Sequence, residues 1–230
     1  MKRLIITIDG PAGAGKSTIA QRLAARLELD VLDTGAMYRG LASVALEHGI
    51  DFADDPQSLA RLAKEIAVDF DWSASPPALT VNGEDYSGRI RDAAVTSAAS
   101  EIAQMPEVRR VMVAQQQRIA REHPRLVTEG RDQGSVVFPD ATVKFYLDAE
   151  ARERARRRAE QWRAQGKPAD EAKILRDILE RDRRDASRTE GPLVKPADAV
   201  YVDSTSMTID EVVDHMAERV NEALVGQTSA

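Results

Sequence analysis

A run of apolar, mostly β-branched residues, Leu4–Ile8, leads straight into GPAGAGKS (Gly10 to Ser17), after which Ile19, Leu23 and Leu27 recur at four-residue spacing. A buried strand, a glycine-rich turn fitting G-x-x-x-x-G-K-[ST] and an amphipathic helix, in this order, form the context that a phosphate-binding loop requires. The glycines at 10, 13 and 15 carry no Cβ, so the backbone can close around an anion, and its N–H groups add to the positive end of the following helix. The motif predicts a nucleotide-binding segment of Gly10, Pro11, Ala12, Gly13, Ala14, Gly15, Lys16, Ser17 and Thr18. Within it Lys16 is expected to reach the β- and γ-phosphates as a point charge, and the Ser17 hydroxyl to ligate Mg²⁺. Pumps, motors, GTPases and kinases share such a loop, so it fixes a ligand and leaves the reaction open.

At 230 residues the chain suits one domain with insertions and a substantial core. It has no cysteine and therefore no disulfide framework. Leu4–Ile8 is far too short for a signal or a membrane span, so a soluble cytoplasmic protein with no membrane partner is expected. The net charge of −6 argues against a generally cationic nucleic-acid binder, yet residues 151–188 hold 13 Arg and Lys against 8 Asp and Glu. The cationic charge is concentrated in that one segment.

Short apolar runs recur as strand candidates at Leu4–Ile8, Asp30–Leu32, Leu126–Thr128, Val143–Leu147 and Ala199–Val202, which predicts a doubly wound α/β core with a parallel sheet. Thr208 and Glu211 form a capping-box pattern ahead of an apolar stripe of Ile209, Val212, Val213, Met216 and Val220, a packing helix. The alternation breaks where LTVNGEDY carries an Asn82-Gly83 turn between strand-like runs, after the Pro76-Pro77 break; residues 62–95 read as a small antiparallel insertion. Helical patterns follow at about 93–104 and 106–122, and Pro124 ends the second.

A GTPase needs an Asn-Lys-x-Asp guanine signature, but Asn82 and Asn221 are followed by Gly and Glu. The strand LVTEG ends in Glu129, which weakens an ATPase-switch reading and leaves it open. Arg39, Arg131, Arg181 and Arg188 stand in LDTGAMYRG, EGRDQGSVVFPD and ERDRRDASR, the first two following strand ends, where ligands bind in open α/β sheets. With a phosphate loop, their convergence on a second phosphate is the better reading. His48, His123 and His215 fall in helix or loop contexts and read as surface or packing residues.

Five stretches carry a family resemblance: IDGPAGAGKST, LDTGAMYR, VTEGRDQGSVVFPDA, ERDRRDASR and PLVKPADAVYVDST. In this order and spacing the chain resembles the bacterial cytidylate kinases, which phosphorylate CMP and dCMP. The likeness spans nearly the whole chain, and G-R-D-x-G-[ST]-V-V-F-P with R-D-x-x-R separates it from adenylate and shikimate kinases. Thr34 stands where some members have Ser, and Glu129 where some have Asp.

The resemblance implies a P-loop kinase core of residues 1–34, 123–150 and 190–230, with a five-stranded parallel sheet flanked by helices. It further implies a nucleoside-monophosphate region over 35–122 that contains the insertion, and an arginine-rich lid with basic helices over 151–189. The implied reaction turns ATP and CMP (or dCMP) into ADP and CDP (dCDP) with Mg²⁺, on a monomer with no nucleic-acid partner. By the same resemblance Thr34, Arg39, Arg131 and Arg188 would surround the CMP phosphate, and Tyr38 belongs to the CMP-binding set. Ser100, Arg109 and Asp132 would face cytosine, while Arg181 and Asp185 would hold the ribose hydroxyls. The run ARERARRRAEQWRAQGKP corresponds to the lid over ATP; Arg154 and Arg158 share one helix face, and Arg158 is the expected transition-state contact beside Lys16, Arg131 and Arg188. An RNA-binding patch is the rival for this segment, poorly supported because Trp162 is its one aromatic residue.

Overall fold

The structure is a computed structural model and describes residues 3–52 and 54–228. Strands β1 (Leu4–Asp9), β2 (Asp30–Asp33), β6 (Arg125–Gly130), β7 (Val143–Asp148) and β8 (Val200–Asp203) form one parallel sheet in the order β2-β6-β1-β7-β8. All six residues of β1 are buried, as a central strand covered on both faces demands. Alternation along it feeds two cores. Ile5 packs on one face with Leu32, Met37, Leu41, Met112 and Ile119; Leu4, Ile6 and Ile8 pack on the other with Leu23, Phe145, Val212 and Met216.

Helices α1 (Lys16–Leu27) and α8 (Ile209–Thr228) cover that second face. The backbone N–H of Glu211 donates to Thr208 Oγ at 3.2 Å and the Thr208 N–H to Glu211 Oε2 at 2.8 Å, a reciprocal cap at the start of α8. Helices α2 (Thr34–Glu47), α4 (Ala93–Ile102) and α5 (Pro106–Glu122) belong to the first face.

A second sheet joins β3 (Val68–Asp71), β4 (Ala78–Val81) and β5 (Glu84–Asp85) in antiparallel order. Asn82 and Gly83 both have positive φ (51° and 83°), the geometry of a two-residue turn that matches strand twist. The hairpin thus has a third strand, β3, and α3 (Pro56–Glu65) precedes it. Gly40 lets α2 approach this sheet, since a Cβ there would lie 2.9 Å from Leu79 Cδ2. The arginine-rich segment is two helices, α6 (Ala151–Ala164) and α7 (Glu171–Ala186), packed on each other around Ala155, Ala159, Ile174 and Ile178. No helix among the described residues is long and apolar enough to cross a membrane.

Candidate active site

The carboxyl ends of β1, β6 and β2 open into one cleft of about 840 Å³, near the top of the roughly 300–1,000 Å³ typical of ligand sites. Its floor is the loop between β1 and α1. Gly13 and Gly15 have φ of 80° and 89°, left-handed conformations that favour glycine, and at Gly10 a Cβ would collide with the Leu147 carbonyl. Residues 12–18 line the cleft; Gly10 packs against β7 and Pro11 offers its carbonyl to Lys16 Nζ at 2.8 Å.

Burial, reinforced by the Arg131 charge, pushes the Lys16 ammonium down to about 7. The loop is braced from outside by the two arginine-rich helices. Asp182 accepts the Ala12 N–H at 3.1 Å, and Arg154 donates to the Ala12 carbonyl at 2.8 Å and to Asp182 at 2.7 Å. Arg154 is therefore a buried brace, whereas Arg158 lines the cleft with its guanidinium 5.6 Å from the Trp162 ring centroid. Arg157 ties α6 to the segment after β8, donating to the Ser204 carbonyl at 2.6 Å.

Ser17 donates to Glu129 Oε1 at 2.6 Å. Burial and the nearby Asp33 raise the Glu129 carboxyl above the usual carboxylate range, so this pair of oxygens favours a cation. Asp33 caps α2 by accepting the Ala36 N–H at 2.7 Å and holds Arg39 at 3.1 Å. The Thr34 hydroxyl is committed to the Glu129 carbonyl at 2.7 Å, so Thr34 meets the cleft as the first residue of a helix.

Arg39, Arg131, Arg158, Arg181 and Arg188 all line the same cleft. Asp185, almost fully buried on α7, accepts from Arg131 Nε at 2.7 Å and pairs with Arg188; it does not itself line the cleft. Burial would raise its carboxyl, but the Arg131, Arg188 and Arg181 charges outweigh that and hold it low. The Nε–H groups of Arg181 and Arg188 are buried without an acceptor. Burial and Arg131 push the Arg181 guanidinium down to about 10. Such unsatisfied, mutually repelling cations are the signature of a site built for polyanions.

Arg109 and Asp132 pair with each other, both nearly solvent-excluded, and line the cleft beside Ser100, whose buried hydroxyl has no partner. Gly191 lies over this pair with φ 61°, where any Cβ would collide with both side chains. Burial pushes the Tyr38 phenol up to about 12, and its ring lines the same wall.

Three features of the site are not among the residues the sequence assigned to it, two lining the cleft and one bracing it from outside. Glu129 is one: the sequence marks it as the carboxylate ending an apolar strand, but its partner Ser17 lies 112 residues away. The second is residues 204–209 after β8, a fourth strand end of the same sheet. The third is the Asp182–Arg154 brace, for which only the fold supplies a reason.

The family model described as Cytidylate kinase matches residues 6–222. A cytidylate kinase of Geobacillus kaustophilus (strain HTA426) is 45% identical over 97% of this chain and 99% of its own length. One from Pectobacterium carotovorum subsp. carotovorum (strain PC1) is 44% identical over 96% and 97%. A solved structure of an uncharacterized protein from Eubacterium ventriosum ATCC 27560 superposes with a TM-score of 0.54 at 14% identity, covering 95% of this chain and 99% of that one, a likeness of fold. A phosphate loop, a second set of arginines facing it and a matching sequence over nearly the full length converge: the chain belongs to the cytidylate kinase family.

Proposed function

We propose that this cleft transfers the γ-phosphoryl group of ATP directly to the phosphate of CMP or dCMP, giving ADP and CDP or dCDP. The observation that carries the reading is the row of cleft arginines opposite the phosphate loop, two of them with buried N–H groups lacking any acceptor. The P–O bond to the β-phosphate breaks, one to an acceptor phosphate oxygen forms, and ADP leaves. A phosphate monoester with a second pKa near 6 is already mostly dianionic at neutral pH, so no general base is required. What is required is cancellation of charge between two polyanions. Lys16 and Arg158 would serve the transferred group, and Arg39, Arg131 and Arg188 with the helix start at Thr34 the acceptor phosphate.

Ser100, Arg109 and Asp132 would read cytosine beside Tyr38, and Arg181 with Asp185 would meet the ribose. Among the described residues no cluster of His, Cys, Asp or Glu is large enough to hold a metal alone, so phosphate oxygens would complete a shell begun by Ser17 and Glu129. Such hard oxygen donors suit Mg²⁺, which neutralises charge on the β- and γ-phosphates when bound. The absence of cysteine is compatible with a reducing compartment, and the family likeness suits a cytoplasmic monomer.

A compound bridging adenosine and cytidine 5′-positions through five phosphates tests shared occupancy. It is expected to inhibit competitively against ATP and against CMP, and to bind at least tenfold tighter than either. Competition against one nucleotide only would refute a common cleft.

A further inference from the structure

The cleft's base-facing wall is held by groups that do not touch it. Asp9 ends β1, one residue before the phosphate loop, and is almost completely buried. Its two carboxylate oxygens accept the backbone N–H groups of Gln133 at 2.8 Å and Gly134 at 2.7 Å. These are the opening donors of a π-helical turn, Gln133–Val137, which the turn itself leaves unpaired. The Val136 N–H closes back on the Asp132 carbonyl at 2.9 Å and the Phe138 N–H on the Gln133 carbonyl at 2.7 Å.

The turn lies flat on the sheet. A Cβ at Gly134 would stand 2.8 Å from Thr7 Oγ, and one at Gly130 2.8 Å from Gln133 Cγ. The Gln133 amide then bridges two elements. Its carbonyl oxygen accepts from Thr128 on β6 at 2.8 Å, and its NH₂ donates to Gln116 on α5 at 3.1 Å. Helix α5 also carries Arg109, seven residues earlier and on the same buried side.

We infer that Asp9 and Gln133 are positioning residues for base choice: together they fix the Asp132 turn in register with the helix that presents Arg109. The inference rests on the reading that Asp132 and Arg109 face cytosine. Burial lifts the Asp9 carboxyl from 3.8 to about 6 despite the two backbone hydrogen bonds. A carboxyl raised in the fold favours folding while protonated, and that contribution is lost as pH climbs from about 4 toward 6. The ionised carboxylate offers one acceptor oxygen to each of the two N–H groups. An asparagine would turn an NH₂ donor against one of them.

Asp9→Asn and Gln133→Ala test the inference, each measured with CMP and UMP and with ATP varied, alongside Asp132→Ala as a reference. The expected result is a 10- to 100-fold loss in kcat/KM for CMP, a markedly smaller loss for UMP and a KM for ATP within about twofold of the parent. In the Asp132→Ala background neither change narrows the CMP/UMP ratio further. Equal losses on CMP and UMP, or an ATP KM that rises as much as that of CMP, would overturn it and leave Asp9 a support of the phosphate loop. If Asp9→Asn fails to fold, Gln133→Ala decides by the same ratio. An unchanged ratio in Asp132→Ala itself would instead remove the cytosine reading beneath the inference.

Discussion

Lys16→Met is expected to lower kcat by about 10²–10³ with the fold intact, the range that loss of one preorganised electrostatic contact produces. Lys16 is buried at the head of α1, tethered to the Pro11 carbonyl, and its ammonium is pushed down to about 7 by burial and Arg131. A triphosphate reverses that balance by adding negative charge beside Lys16, where burial and the Arg131 and Arg181 charges now lower its pKa. The pKa should then return toward its ordinary value, and at pH 8 binding of ATP should be accompanied by proton uptake. Enthalpies of ATP binding in buffers of different ionisation heat measure the uptake directly. Lys16→Met should lack it. A folded variant keeping more than about a tenth of kcat, against the 10² expected from such contacts, would remove Lys16 from the transfer step.

The second large effect concerns the base. Cytosine offers an N4 amino donor beside acceptors at N3 and O2, whereas uracil presents an acceptor at position 4 and a donor at N3. Asp132 can accept and Arg109 can donate, so on the proposed reading the buried pair would match cytosine and would set a carboxylate against the uracil O4. Leaving buried polar groups unpaired can discriminate by roughly 10⁴, less in a partly wet site. Asp132→Ala is therefore expected to lose most activity on CMP and far less on UMP, narrowing the ratio. It also strands the buried Arg109 charge, which costs about 3–5 kcal/mol of stability. Asp132→Asn controls for this: its carbonyl can still accept from Arg109 while its NH₂ turns a donor toward O4, and the ratio should narrow again. Equal losses on both substrates in both variants would make the pair a scaffold.

Most of the sheet was legible because buried parallel strands are continuous apolar runs, and each observed strand overlaps its predicted run. The strands nevertheless extend past those runs onto polar residues. β1 reaches Asp9 and β2 Asp33, while β6 runs on through Glu129 to Gly130, all held by ladder pairing with neighbours. Hydrophobic pattern cannot register such residues; of these, Glu129 and Gly130 line the cleft, while Asp9 and Asp33 hold the segments that do. β3 falls inside the 62–95 segment read as an antiparallel insertion but is not legible as a separate strand, because VDFD is only four residues long. The phosphate loop was legible since its chemistry is local. The Asp182–Arg154 brace, the Ser17–Glu129 pair and the Asp9 anchor link residues 28 to 170 positions apart, and only tertiary convergence reveals them.

The arginines of α6 divide in the same way. Arg154 is turned into the protein and Arg157 onto the 204–205 segment; Arg156 pairs with Glu153 and Glu160, and Arg158 faces the cleft. Their spacing alone marked a helix face, not this division of labour.

On the proposed function CMP or dCMP receives the phosphoryl group in preference to water, to purine nucleotides and to UMP. ADP formation from Mg-ATP, followed by a coupled assay with CMP, dCMP, UMP, AMP, GMP, shikimate or no acceptor, measures this directly. CMP and dCMP should support rapid ADP formation with stoichiometric CDP or dCDP, UMP should be slower, and AMP, GMP, shikimate and the blank should stay at background. Phosphate release without an acceptor at a rate matching the CMP reaction, or AMP accepted as readily as CMP, would contradict the account.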